Sequence, residues 1–261
     1  MDVIKYAALL LSLLIAASAY AAPERIESVP FGDRRGTQQY AVVEPDKSAE
    51  LIGVMFIGGA GTLNLAERKE LVSRNTLVKI KSDLIKELPI RLIYIDAPDA
   101  PSVTRIEKDY TDSAHRIIAR ENPKRLPVYV FGISWGSTSA VAVAASDPSS
   151  DVKGMVVLSA LQKMPKGYTV YSVPLNKIKA HALLIQHVRD GCRSTSGDLS
   201  VVKALGSRLT SSASVTPMAL DGGEPGHGDE CGPDSYHGFL GIEPILIHHI
   251  VTWIGKTMPG K

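Results

Sequence analysis

Five residues, Gly132-Ile133-Ser134-Trp135-Gly136, restrict what this chain can fold into more than any other stretch. In front of them runs Pro127-Val128-Tyr129-Val130-Phe131, short, apolar and β-prone. Behind them, Ser137 to Ala145 is made of small residues at a length that suits a helix. A strand, a serine at the tip of a tight turn and a helix of small residues form the pattern of a nucleophile elbow. Glycines at 132 and 136 let neighbouring backbone come close where a Cβ would intrude. The helix would aim its free N–H groups and positive dipole end at the serine oxygen. G-x-S-x-G alone arises by chance, and the flanking strand and helix are the context that gives it meaning. The rest of the chain must then supply a base, an acid and oxyanion donors.

Strands and helices alternate along the sequence. Gln38 to Val43 reads as a strand, and Leu51 to Ile57 as a strand buried on both faces, leading into Gly58-Gly59-Ala60-Gly61. Leu65 to Leu88 has helical spacing of its apolar residues and ends at Pro89. Ile90 to Ile95 is a further buried-type strand, and Tyr110 to Glu121 is helical. After the elbow come strands around Val156-Val157-Leu158, over Ala182 to His187 and over Ser214 to Leu220, with a helix over Leu199 to Leu209. A loop from Asp221 to Tyr236 and a helix from Gly241 to Ile254 close the chain. Pro23 to Arg35 is polar and is expected to wrap the surface. The alternation predicts an α/β fold, a mostly parallel sheet covered on both faces, with ligands at the C-terminal strand edge. No internal repeat or linker divides it, so residues 22–261 are expected to form one domain.

The first 21 residues are set apart. Met1 to Lys5 carries one lysine, Tyr6 through Ala17 is almost wholly apolar, and Ala19-Tyr20-Ala21 is a small-x-small cleavage site. This is the pattern of a secretory signal peptide, with the mature chain starting near Ala22; the alternative is an uncleaved anchor, for which the apolar run is short. An exported chain, periplasmic or secreted, is expected. No other stretch reads as long and apolar enough to cross a bilayer, so no stable membrane insertion is expected after cleavage. A net charge of +2, without basic runs interleaved with aromatics, excludes a nucleic-acid partner on sequence grounds. The two cysteines, Cys192 and Cys231, are free to pair in an oxidising compartment.

A serine hydroxyl is a weak nucleophile near neutrality and needs an adjacent base; histidine suits, with a carboxylate to hold its tautomer. Of seven histidines, His115, His248 and His249 fall in helices and His187 at a strand end. His237 and His227 share the loop after the last strand and compete for the role. Asp190 lies just past the strand ending near His187, while Asp96 and Asp99 fit turn hydrogen bonds or pocket contacts better. The group His227, Asp229, Cys231, Asp234 and His237 invites a metal reading. Loop Asp and Gly are turn formers, and no second ligand pair is spaced for a site, so neither metal nor cofactor is expected.

This arrangement resembles the α/β-hydrolase family: a glycine-rich strand end, then strand–G-x-S-x-G–helix, then Asp and His after later strands. It is similar in detail to small exported bacterial members with an Asp-x-Cys after one strand and a Cys followed by His-Gly-Phe after the last. Here these are Asp190-Gly191-Cys192, Cys231 and His237-Gly238-Phe239. The resemblance implies an α/β-hydrolase fold with minimal or no cap domain, and a triad in the order Ser134, Asp190, His237. Gly58-Gly59-Ala60-Gly61 resembles the family's H-G-x-G oxyanion loop without its histidine. Matched residue by residue, Ala60 and Trp135 would donate backbone N–H groups, with Gly59 the alternative to Ala60. If both loops carry triad members, Cys192 and Cys231 come close enough for a disulfide that clamps them.

The expected activity is a serine hydrolase acting on small-molecule or polymer carboxylic esters through an acyl-enzyme. A peptidase, thioesterase or acyltransferase could use the same triad, and a non-catalytic periplasmic binding protein is the remaining class.

Overall fold

The structure, a computed structural model, describes residues 24–32, 36–98, 104–164, 167–195 and 197–260. The signal peptide expected over residues 1–21, and Asp99, lie outside the described residues.

The chain builds one eight-stranded sheet. Its strands are β1 (Glu24–Pro30), β2 (Thr37–Val43), β3 (Leu51–Phe56), β4 (Ile90–Ile95), β5 (Val128–Ile133), β6 (Val152–Leu158), β7 (His181–His187) and β8 (Val215–Leu220). They lie in the order β1-β2-β4-β3-β5-β6-β7-β8. β1 pairs antiparallel with β2 and β2 with β4; every other pairing is parallel. The chain reverses direction across the sheet at β3, between β4 and β5. Ligand crevices form outside the carboxyl ends of strands at such a switch point.

The central strands are apolar on both faces because both faces are covered. Ile52, Val54, Val128 and Val130 point into one core with Ala114 and Ile117 of α4 (Lys108–Glu121), Val141 of α5 (Gly136–Ala145) and Leu205 of α6 (Leu199–Gly206). Met55, Tyr129, Phe131 and Ile133 point into the other core. There they meet Leu77 of α2 (Thr76–Lys79), Leu84 of α3 (Lys81–Glu87) and Leu246, Ile250 and Trp253 of α7 (Glu243–Thr257). The connection from β6 to β7 holds only two 3₁₀ turns among its described residues, Val170–Ser172 and Leu175–Lys177, so no cap domain is inserted there.

Three sequence expectations need correction. Pro23 to Arg35 does not simply wrap the surface, since Glu24–Pro30 pairs along its whole length with β2 as an edge strand. Leu65 to Leu88 is not one helix. It breaks into α1 (Leu65–Arg68), α2 and α3. Lys69 turns left-handed at φ 58°, ending α1, and Asn75 restarts the helix by accepting the Leu77 N–H on its side chain. Finally, one later stretch, Tyr236–Thr257, is long and apolar enough to cross a membrane, with mean hydropathy 1.3. One face of it lies on the sheet, with Leu246, Ile250, Trp253 and Ile254 buried in the second core, while Ile245 is exposed.

Candidate active site

Ser134 follows the last residue of β5 and has φ 55°, a left-handed conformation that a non-glycine residue adopts only under constraint. The flanking glycines make that turn possible. A Cβ on Gly132 would lie 2.4 Å from the Gly136 carbonyl oxygen, and one on Gly136 would lie 2.0 Å from that of Phe56. Neither backbone oxygen can give way. Ser134 N–H donates to Leu158 O at 3.0 Å, which pins the turn to the end of β6. Trp135 caps α5 without a side-chain acceptor, and the Ser137 and Thr138 N–H groups of that helix's first turn donate instead to Ser134 O at 3.0 Å and Trp135 O at 3.2 Å.

His237 sits in a 3₁₀ turn, Tyr236–Gly238, in the long loop after β8. Four contacts fix that turn. Ser235 Oγ accepts the His237 N–H at 3.1 Å, and buried Ser159 Oγ donates to His237 O at 2.9 Å. Buried Thr76 Oγ1 donates to Gly238 O at 2.7 Å, and a disulfide joins Cys231 to Cys192 in the loop after β7. The expected pairing of the two cysteines is therefore present.

His237 Nδ1 and Asp190 Oδ2 lie 3.0 Å apart, both side chains buried. Asp190 also accepts from Gln186 Nε2 at 2.7 Å, Thr195 Oγ1 at 2.8 Å and the Cys192 N–H at 2.9 Å. Burial raises the pKa of Asp190. The hydrogen bond and charge of His237, with the donors from Thr195 and Cys192, outweigh burial and leave it below the ordinary carboxylate value. An ionised Asp190 only accepts, so His237 Nδ1 must carry the proton between them. In the neutral ring the lone pair is then on Nε2, which is buried and has no hydrogen-bond partner.

His237 and Ser134 line the same cavity, of about 370 Å³, with Gly58 to Thr62, Ser73 to Thr76, Asp229 and the Cys231–Pro233 segment. No hydrogen bond joins Ser134 Oγ to His237 Nε2. Such bonds are often long before substrate binds.

The loop Gly58 to Gly61 forms a β-turn, Gly61 N–H to Gly58 O at 3.2 Å, with Gly59 at φ 59°. Buried Arg105 reaches under it and donates to Gly59 O at 3.1 Å and Ile57 O at 3.0 Å. A trans peptide points its N–H opposite to its C=O, so this grip turns the Ala60 N–H away from Arg105. No intramolecular hydrogen bond engages the N–H of Ala60 or Trp135 among the described residues.

The competing candidates fall elsewhere. His227 is exposed and outside the cavity lining. His187 is buried with its Nε2 on Gly222 O. Asp96 accepts the N–H groups of Leu63 and Leu65, across 33 and 31 positions, and of Ala97 beside it, so it holds the loop before α1 rather than a turn of its own. Asp234 pairs with Arg74 and Lys79. Asp190, Cys192 and His237 bring three metal-ligand types within 4.8 Å, but the Cys192 sulfur is spent in the disulfide.

Sequence reasoning does not single out Gln186, Thr195, Ser159, Thr76 or Arg105. A weak signal exists for two of them. Gln186 is the lone uncharged polar residue in an apolar strand, and Ser159 follows the apolar core of β6 as Ser134 follows that of β5. Thr76 and Arg105 act across long sequence separations and leave none.

The chain has the α/β-hydrolase fold. Superposition on solved structures gives a TM-score of 0.62 to a dienelactone hydrolase from Anabaena variabilis at 15% identity, covering 92% of this chain and 100% of that one. A thermostable carboxyl esterase from Bacillus coagulans also scores 0.62, at 12% identity over 90% and 98% of the two chains. A cold-adapted esterase from an Arctic intertidal metagenomic library scores 0.56 at 16% identity, over 92% and 95%. No protein-family model matches the sequence, and no curated protein matches it by sequence.

Proposed function

We propose that this protein is an exported serine hydrolase that cleaves carboxylic esters through an acyl-enzyme. One observation carries the reading: His237 spends Nδ1 on Asp190 and leaves an unpartnered Nε2, and its side chain lines the cavity that holds a strained serine. In its neutral form this imidazole is a base that shares a cavity with a serine hydroxyl. Ser134 Oγ attacks the ester carbon as its proton passes to Nε2, and the carbonyl π pair moves onto oxygen. The Ala60 and Trp135 N–H groups would hold that oxyanion. The C–O bond to the alcohol then breaks, with the proton returning from His237 to the leaving oxygen. Water, activated by the same imidazole, releases the acyl group. Asp190 orients His237 and stabilises the imidazolium.

The neighbours in fold carry hydrolase and esterase names, which supports the ester class. The lining supports short, polar groups over long acyl chains: glycine, Ser73, Asn75, Thr76 and Asp229 predominate, with few large apolar side chains. The disulfide fits an oxidising compartment and so supports export.

The test is labelling of the folded protein with a fluorophosphonate, the modified residue mapped by mass spectrometry, together with turnover of short aryl esters. Label on Ser134 is expected, and Ser134→Ala should lower kcat by about 10⁴- to 10⁶-fold. Wild-type turnover in that variant would remove the serine from the chemistry.

A further inference from the structure

We propose that the side-chain amide of Asn75 is a third oxyanion donor, reaching the substrate oxygen beside Gly58 and Ser134. The proposal rests on the serine-hydrolase reading above.

Gly58 gives the first observation. Its φ is not positive, so conformation does not demand glycine there, and the space at that position is bounded closely by the site. A Cβ at this position would sit 3.2 Å from Ser134 Cβ, 3.4 Å from Asn75 Nδ2 and 3.4 Å from Ile133 O. The missing methyl therefore leaves a slot that both the Ser134 side chain and the Asn75 amide nitrogen border. All three residues line the same cavity.

The second observation settles which atom of the amide faces that slot. Asn75 is the N-cap of α2, and its Oδ1 accepts the Leu77 N–H at 3.1 Å. Only oxygen can accept there, so the amide nitrogen is the atom left on the other side. The Asn75 N–H donates to Ser73 Oγ at 3.1 Å, which ties down the backbone as well. No protein acceptor engages Nδ2 among the described residues. The cap thus works twice, starting a helix with the oxygen and presenting two N–H bonds beside Ser134 with the nitrogen.

The slot suits the oxygen that becomes negative. When Ser134 Oγ bonds to the ester carbon, the former carbonyl oxygen gains a full electron pair within reach of groups around Ser134. A neutral amide donor fixed before the reaction stabilises that charge without reorganising, and it does so more in the transition state than in the bound ester. On collapse of the tetrahedral intermediate the pair returns to the carbonyl, and Asn75 is unchanged.

The experiment uses the full chain with Asn75→Asp and Asn75→Ser. Aspartate and serine are as good N-caps as asparagine and keep an oxygen for the Leu77 N–H, yet neither can place an amide N–H in the slot. Steady-state kinetics on a short aryl ester should show kcat lower by about 10²-fold or more in both variants. KM should stay within about threefold, and the thermal unfolding midpoint should not move. Affinity for a boronic acid that forms a tetrahedral adduct on serine should fall with kcat. Wild-type kcat in Asn75→Ser, where wild type labels at Ser134 and Ser134→Ala is inactive, overturns this proposal and leaves the hydrolase reading intact. A loss of kcat matched by a fallen midpoint in both variants overturns it too, since Asn75 would then serve the helix alone. Absence of any Ser134-dependent turnover in wild type removes both readings together.

Discussion

The proposed nucleophile and the proposed base are held in place by opposite means. Ser134 is positioned mostly by its own neighbours in sequence: β5 delivers it, Gly132 and Gly136 clear the space, and α5 leads away, with the bond to Leu158 O its one distant backbone tie. His237 is positioned by residues far from it in the chain. Ser159 holds its carbonyl across 78 positions, Thr76 holds that of Gly238 across 162, and the disulfide ties loops whose cysteines are 39 apart. A turn defined locally forms whenever its strand and helix do. A turn defined by distant tethers forms only when the whole sheet edge has assembled, and each tether can be cut separately. The serine side should therefore fail by unfolding, and the histidine side by losing register.

Cutting the covalent tether is the largest expected effect. Removing a cross-link of this span, by Cys192→Ser with Cys231→Ser or by reduction, should lower unfolding free energy by about 4 kcal/mol. Urea unfolding with and without dithiothreitol measures it. Ester turnover should fall as well at urea concentrations where the chain stays folded, because Asp190 and His237 sit in the two loops the disulfide joins. Unchanged stability and turnover would mean the hydrogen-bonded tethers suffice and would erase the contrast between the two sides.

Gly136→Ala tests the local side. Its new methyl would be driven 2.0 Å from the Phe56 carbonyl oxygen, a central-strand atom. Overpacking against backbone should destabilise the protein by about 3 kcal/mol. Because the clash is at the elbow itself, Ser134 labelling should disappear in parallel with the folded fraction. A folded but inactive Gly136→Ala protein would show the elbow to be adjustable, contrary to a locally fixed turn.

The same contrast decides which features are legible in the amino-acid sequence. The elbow and the parallel strands are legible because each is written in a short window with its own period or its own glycines, whereas the order Ser134, Asp190, His237 is legible through the family resemblance. β1 is not. Glu24-Arg25-Ile26-Glu27-Ser28 carries its charges because it is an edge strand, largely half-exposed, and edges are charged to prevent further pairing. The break inside Leu65 to Leu88 is also hidden. Lys69 adopts a left-handed φ without the glycine that usually marks a helix end. That break matters to the site, since Ser73 to Thr76 come to line the cavity only because the helix stops there. The acid-holding groups Gln186 and Thr195, and Arg105 under the glycine turn, gain their partners only in the assembled fold. Pairing of the cysteines is legible only through a family resemblance.

The smallest effect concerns protons, and it falls on the histidine side, since the elbow from Gly132 to Gly136 has no titratable side chain. His187 ends β7, buried, its ring stacked 4.8 Å from that of Tyr236. Its Nδ1 accepts the Arg189 N–H at 3.0 Å, and its Nε2 faces Gly222 O at 3.1 Å. Those two bonds require the neutral ring with its hydrogen on Nε2, because a second proton at Nδ1 would displace the Arg189 N–H. Burial lowers the pKa of His187 most, and neighbouring Arg189 adds to it, against weaker upward pulls from the Gly222 hydrogen bond, Asp221 and Asp190. The folded value thus lies below the unfolded one, so between them the unfolded chain binds more protons and stability rises with pH. On acidification, stability should decline as pH falls through the ordinary histidine value of about 6.5, by at most about 1.4 kcal/mol per pH unit from this one group. Glutamine at 187 can accept and donate without titrating, so His187→Gln should flatten the slope measured by urea unfolding between about pH 7 and pH 5. His115, half-buried beside Ser146 and lowered in the same direction by burial, stays in that variant and leaves a residual slope. A slope identical in His187→Gln and wild type would show that His187 takes up its proton as readily folded as unfolded, and that the histidine side does not sense mild acid through it.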